Sequence, residues 1–218
     1  VLVTLSYGDT GLDVEIPNHL TTVVEPTFAT EATDPRGTVA KAMSTPVDSP
    51  RLREIAQAGQ KVAISICDIT RPQPRQLVLE AILEELSQIP PDDVVILIAT
   101  GTHRANTYAE LIEMLGSDIP SRYEIVNHDA RDEKSLAELG VVNEVDVRLN
   151  RRWFEADLRI TSGVVEPHFF AGFSGGPKMV VPGLAGIDTV MTLHDAQRIG
   201  SPNATWGIIN GNPVQDDI

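Results

Sequence analysis

The chain has 218 residues, 42% of them hydrophobic and 22% charged, which suits one large globular domain with its own core. Seventeen Lys and Arg face 31 Asp and Glu, a formal net charge of −14 that repels a phosphate backbone and argues against a nucleic-acid partner. The single cysteine, Cys67, excludes an intrachain disulfide framework and argues against a cysteine-based zinc site, in keeping with a cytoplasmic protein. No apolar run reaches the roughly 18 residues of a membrane span, and Val1–Leu5 lacks signal-peptide form. Any anion site in so acidic a chain must be built locally, from particular Arg, Lys and backbone N–H groups.

Residues 1–7 and 12–16 alternate like a β-hairpin around Gly8-Asp9-Thr10-Gly11. Residues 20–46, rich in Thr, Pro and Ala, give no firm assignment. Ser49-Pro50 predicts a helix start, with Ser as cap and Pro first, running to about Gly59. Lys61–Ile66 is a continuous apolar run of the kind buried on both faces of a parallel sheet. Val78, Leu79, Ile82, Leu83 and Leu86 fall at helical spacing over 75–88, and Val94–Ile98 is a second buried strand. A capping box of Thr107 and Glu110 opens a helix over 107–115. A third strand is expected at Tyr123–Val126, a short helix over 132–139 stopped by Gly140, strands at 145–149 and 156–161, and a last helix over about 187–198. Alternating strands and helices predict an α/β fold: a mainly parallel sheet flanked by helices, with an N-terminal β-hairpin.

Four polar sequences each follow a predicted strand directly: Asp68-Ile69-Thr70-Arg71-Pro72, Gly101-Thr102-His103-Arg104, Asn127-His128-Asp129, and Ser162–His168. Parallel strands would gather all four at one sheet edge, where open α/β sheets bind ligands. Arg71 can clamp a carboxylate with two hydrogen bonds, or can pair with Asp68 for structural reasons. His103 follows Gly101, which lets backbone approach a ligand. His168 sits between Pro167 and the apolar Phe169-Phe170. His128 suits a supporting role or a turn capped by Asn127 and Asp129, and His19 ordinary surface. Ala171–Lys178 is glycine-rich and ends in Lys, but Pro177 and Met179 stand where a P-loop needs Gly and Ser or Thr. Its N–H groups can still cradle phosphate, and Lys178 is open to three readings: phosphate partner, covalent anchor or solvated lysine. His194 lies sixteen residues beyond Lys178, and neutral imidazole is a common ligand for metals such as nickel.

Together, Asp68–Pro72, Gly101–Arg104, Pro167–Gly176 with Lys178, and the His194 spacing resemble the lactate racemase family. The resemblance implies an isomerase, a racemase or epimerase of small 2-hydroxy acids. It further implies a nickel pincer nucleotide, a pyridinium mononucleotide derivative tethered to Lys178, with Ser174, Gly175 and Gly176 beside it and His194 as the protein's ligand to nickel. His103 and His168 are then the paired acid/base residues, and Arg71 holds or polarises substrate with Asp68 beside it. The implied chemistry is proton-coupled hydride transfer through a 2-keto acid. Family members carry a C-terminal domain that closes over the site, so residues 1–218 are expected to be the N-terminal cofactor-binding domain. That domain and the cofactor-biosynthesis proteins are the expected partners. Two other readings stand beside this one: a Schiff-base lyase or aldolase using the Lys178 amine, and a non-catalytic hydroxyacid- or metal-binding module.

Overall fold

The N-terminal alternation closes as an antiparallel hairpin. β1 (Leu2–Leu5) pairs with β2 (Leu12–Glu15) from Leu2↔Glu15 to Leu5↔Leu12. The structure, a computed structural model, describes residues 1–25, 27 and 29–218. The hairpin belongs to one compact unit, Val1–Thr33, and Asp34–Ile218 forms another.

The second unit opens in the stretch that composition left unassigned. α1 (Pro35–Ser44) is capped by the Asp34 side chain, which accepts from Gly37 N at 2.9 Å. The helix expected from Ser49 shrinks to one turn, α2 (Leu52–Ile55), and Ser49 does not cap it. Arg51 and Arg53 there reach the buried Glu85 carboxylate at 2.5 and 2.6 Å, and at Ala56 the chain turns extended toward the sheet. Those two guanidiniums outweigh the burial of Glu85 and hold its pKa down at about 2.

The apolar runs become the sheet. β3 (Val62–Cys67), α3 (Arg75–Glu85), β4 (Val94–Ala99), α4 (Tyr108–Leu115), α5 (Asp118–Arg122) and β5 (Glu124–Asn127) follow in order. The capping box at Thr107 and Glu110 is present as the sequence predicts. The segment expected as a helix over 132–139 keeps one turn of 3₁₀ helix, Glu133–Ser135, and continues as β6 (Leu136–Val142), which pairs antiparallel with β7 (Val145–Asn150). Leu136, Ala137 and Leu139 favour helix by propensity, but pairing overrides it: Leu136 and Ala137 are buried against β7's side of the core, and Gly140 takes φ +95° beside a register shift. α6 (Arg151–Phe154) and β8 (Leu158–Ser162) complete the sheet. Two short strands, β9 (Pro167–His168) and β10 (Gly172–Phe173), bracket the aromatic turn. The last expected helix is divided into α7 (Ile187–Leu193) and α8 (Ala196–Ile199), because Asp195 caps the second by accepting from Arg198 N at 2.7 Å. α9 (Pro213–Asp217) ends the described chain.

The four central strands lie parallel in the order β5-β4-β3-β8. Successive side chains point to opposite faces, so Val62, Ile64, Ile66, Ile96 and Ile98 pack with α3, α4 and α5, while Ala63, Val95 and Leu97 pack with Val145, Trp153 and Leu193 on the other face. Burial on both faces explains why these strands read as unbroken apolar runs. Chain order runs from β3 outward through β4 to β5, and then returns to the opposite flank of β3 as β8. That reversal opens a crevice at the carboxyl ends of β3 and β8. Among the described residues no helix is long and apolar enough to cross a membrane.

Candidate active site

At the carboxyl ends of the parallel strands lies a cavity of about 420 Å³. Asp68, Arg71, His103, His168, Ser174, Gly175, Lys178 and His194, all singled out from the sequence, line it. The loops after β3 and β8 supply its two sides, as the reversal of strand order requires.

Asp68 leaves β3 almost wholly buried, at 4% exposure. One carboxylate oxygen accepts from Thr70 Oγ1 at 2.7 Å, and the other meets His103 Nδ1 at 2.7 Å. That second contact assigns the Nδ1 proton of His103 to the carboxylate and leaves Nε2 as an acceptor. Asp68 therefore pairs with His103 rather than with Arg71. Among the described residues Arg71 has no ion pair, and its guanidinium is left for a ligand.

His168 is prepared in the opposite sense. Its Nδ1 accepts from the backbone N–H of Ala171 at 3.2 Å and, more weakly, of Phe170 at 3.5 Å, so the neutral ring carries its proton on Nε2. Phe169 stacks on the ring at 4.8 Å and Phe170 meets it edge-on at 4.5 Å. Burial, and then the positive charges of Lys178, Arg71 and His194, pull its pKa down to about 4. One histidine thus offers the cavity a lone pair and the other an N–H.

Lys178 stands in a single turn of 3₁₀ helix, Gly176–Met179, entered through Gly175 at φ +69°. A Cβ on Gly175 would come 2.7 Å from the Val164 carbonyl oxygen, so only glycine lets the two loops meet. Ser174 turns its hydroxyl to that junction, donating to Val164 O at 2.9 Å and accepting from Glu166 N at 3.2 Å. Gly176 is not in the wall itself. The Lys178 ammonium lies 5.7 Å from the Phe170 ring centroid, and among the described residues it has no carboxylate partner. Burial and the nearby Arg71 lower its pKa to about 8, which leaves roughly a tenth of it as free amine at neutral pH.

His194 closes α7. Its Nδ1 donates to Val190 O at 2.7 Å, and Phe170 packs edge-on at 5.2 Å. This is the usual way a fold orients an imidazole whose other nitrogen is to bind a metal. Among the described residues no three His, Cys, Asp or Glu side chains gather as a metal cluster. A metal carried in its own organic ligand would need no such cluster, and His194, oriented through Nδ1, would be a fitting single donor. The unpaired Arg71, the mostly cationic Lys178 and the glycine-bounded loop fit an anionic group.

His128 is excluded from the cavity. It is 2% exposed, donates from Nε2 to Ala185 O at 2.9 Å, and meets Asn150 at 3.3 Å, so it ties β5 to the segment before α7. His19 is exposed, as expected. Sequence reasoning passed over Trp206, which stands 61% exposed at the rim, and used Met179 only against a P-loop, though it lines the cavity with its sulfur 3.7 Å from Cys67 Sγ. Neither carries a local pattern that would have marked it.

Residues 7–207 match the family model of the lactate racemase N-terminal domain. The chain is 39% identical over 183 residues to the lactate racemase of Lactiplantibacillus plantarum, and 34% identical over 182 residues to that of Thermoanaerobacterium thermosaccharolyticum. Each alignment covers 83% of this chain and 43% of the relative, so the chain spans about half the length of either. Its fold superposes on the lactate racemase apoprotein from Thermoanaerobacterium thermosaccharolyticum with a TM-score of 0.85 at 30% identity, over 100% of this chain and 52% of the other. It also superposes on a crystal structure of a protein from Thermotoga maritima with a TM-score of 0.67 at 25% identity, covering 84% and 45%.

Proposed function

Since this chain belongs to the lactate racemase N-terminal domain family, we propose that its cavity is the active site of a 2-hydroxy acid racemase or epimerase acting on lactate-like anions. The observation that carries the reading is the meeting, in one cavity, of an unpaired Arg71 with two histidines whose hydrogen bonds turn opposite ring nitrogens toward it.

The α-hydrogen of a simple 2-hydroxy acid is not acidic, so a side-chain base cannot remove it as a proton at a useful rate. It leaves more readily as hydride while a base takes the hydroxyl proton, and this gives a planar 2-keto acid that can be reduced from either face. A nickel pincer nucleotide held by Lys178 and His194 would supply the hydride acceptor. The protein's own residues do the rest. Arg71 holds the carboxylate with its planar fork and fixes which hydrogen faces the acceptor. His103 Nε2, its ring fixed by Asp68, accepts the hydroxyl proton, and the carboxylate stabilises the imidazolium that forms. His168 donates a hydrogen bond from its Nε2 proton to the substrate oxygen, and the proton taken up by His103 returns to that oxygen when the keto acid is reduced again. Phe169 lays an apolar ring against His168 at the cavity wall.

The test is an intact mass, with metal analysis, of the chain co-expressed with the cofactor-making proteins. The expected outcome is a sulfur- and nickel-containing adduct mapped to Lys178, and, in the full-length protein with its C-terminal domain, interconversion of lactate enantiomers with exchange of the α-hydrogen. The lowered pKa of Lys178 also suits a Schiff-base lyase or aldolase. Irreversible borohydride trapping of a keto acid on an unmodified Lys178, with no enantiomer interconversion, would replace the racemase reading with that one.

A further inference from the structure

Arg75, the first residue of α3, does not reach solvent. It is 8% exposed and, among the described residues, has no carboxylate partner. Its guanidinium turns back beneath the loop that leaves β3 and donates to four backbone carbonyls. Nε reaches Cys67 O at 2.9 Å and Nη1 reaches Gln73 O at 3.3 Å, while Nη2 serves both Asp68 O and Arg71 O. Burial pulls its pKa below the usual arginine value, as befits a cation solvated by carbonyl dipoles instead of a counter-ion.

Burying an unpaired cation costs stability, and a neutral side chain would suffice to fill the space. What a neutral side chain lacks is a planar fork of five N–H donors. Two of the four carbonyls belong to Asp68 and Arg71, so their backbone is fixed from below while their side chains enter the cavity. Gln73 adds a lateral brace. It accepts from Cys67 N at 3.1 Å and donates to Ser162 Oγ at 2.7 Å, which joins the end of β3 to the end of β8.

We infer that Arg75 is a positioning residue: by holding the Asp68 and Arg71 carbonyls on one guanidinium, it places the carboxylate that orients His103 and the guanidinium that receives the substrate. The inference deepens the racemase reading and rests on it for the roles of His103 and Arg71, but the geometry it claims is testable without cofactor or activity.

The experiment is ¹⁵N NMR of the His103 ring in the labelled chain, with Arg75→Lys and Arg75→Gln beside the parent. In the parent, Nε2 is expected to show the shift of an unprotonated acceptor and Nδ1 that of an N–H. Arg75→Lys keeps a charge but loses the fork. Arg75→Gln also removes the buried charge, so it folds even where a buried ammonium does not. In either folded variant the expected result is movement of both ring signals toward the Nε2–H tautomer that an unconstrained imidazole favours, further in Arg75→Gln, with far-UV circular dichroism unchanged. In the cofactor-loaded full-length protein the same variants should lose kcat by about a hundredfold, as a displacement of about 1 Å does, Lys retaining more activity than Gln. Parent-like His103 signals in a folded variant overturn the inference. Failure of Lys178 to take an adduct would sink the racemase reading and leave the tautomer result standing, so the two can fail separately.

Discussion

His168 is the residue whose environment most alters its chemistry. In an unfolded chain its imidazole titrates near 6.5, and in the fold near 4, because burial and three neighbouring positive groups disfavour the charged ring. Between those two values the unfolded state binds more protons, so stability rises with pH across the window and is lost as pH falls from about 6.5 toward 4. Burial lowers the His128 pKa as well, so both histidines act in the same direction. Replacing His168 with Gln should flatten part of the slope and leave the share due to His128. The measurement is the urea midpoint at half-unit steps from pH 4 to 7.5, and parallel curves for the two proteins would mean that the His168 ring is not held neutral. The same property matters for catalysis. At neutral pH His168 is already uncharged, and its Nε2 proton is committed to the cavity by the N–H groups of Ala171 and Phe170.

At the scale of elements, much was legible because a parallel strand buried on both faces announces itself. Val62–Ile66 and Val94–Ile98 are too apolar to be surface, and parallel pairing then places the chemistry-bearing loops that follow them at one sheet edge. The helix over 132–139 was misread because a lone antiparallel pair is decided by its partner: Leu136 faces Asn150 and Val142 faces Val145, and nothing within the segment encodes that. Arg75 and Gln73 were invisible for a similar reason, since the carbonyls and hydroxyl they bind are presented only by the folded loop. The lysine loop was legible by composition, though the reason for its glycines was not. Gly175 takes φ +69° and would drive a Cβ to 2.7 Å from Val164 O, whereas Gly176 takes φ +50° with open space around it. Gly175→Ala should therefore cost about 2–3 kcal/mol, strain plus clash, and Gly176→Ala about 1 kcal/mol from the left-handed backbone alone. Equal losses in urea unfolding would show that the Val164 carbonyl yields, and that the loop junction is looser than its geometry indicates.

Across the whole molecule two fields oppose each other. The chain carries a formal charge of −14, which repels a carboxylate at long range, while the cavity wall holds Arg71 and Lys178 without carboxylate partners. Distance decides between them. Exposed charges act through water and are screened beyond about 10 Å at 0.1 M salt, whereas a carboxylate bound as proposed would touch the Arg71 fork at hydrogen-bond distance in a partly desolvated cleft. Affinity for a 2-hydroxy acid should accordingly follow the local guanidinium and ignore the global charge. Arg71→Gln should weaken binding of L-lactate to the chain by about 2 kcal/mol, roughly thirtyfold, the worth of hydrogen bonds to a charged group. Arg71→Lys should recover only part of that loss, because a point charge does not replace a fork. Neutralising two exposed carboxylates remote from the cavity, Asp118→Asn and Glu144→Gln, should leave the dissociation constant within about twofold at 0.1 M salt. Chemical-shift titration of the His103 and His168 rings reads all of these affinities at the site itself. If the surface variant tightened binding as much as Arg71→Gln weakened it, the anion would be responding to the charge of the molecule and not to a built site, and the case for Arg71 as the substrate's anchor would fall.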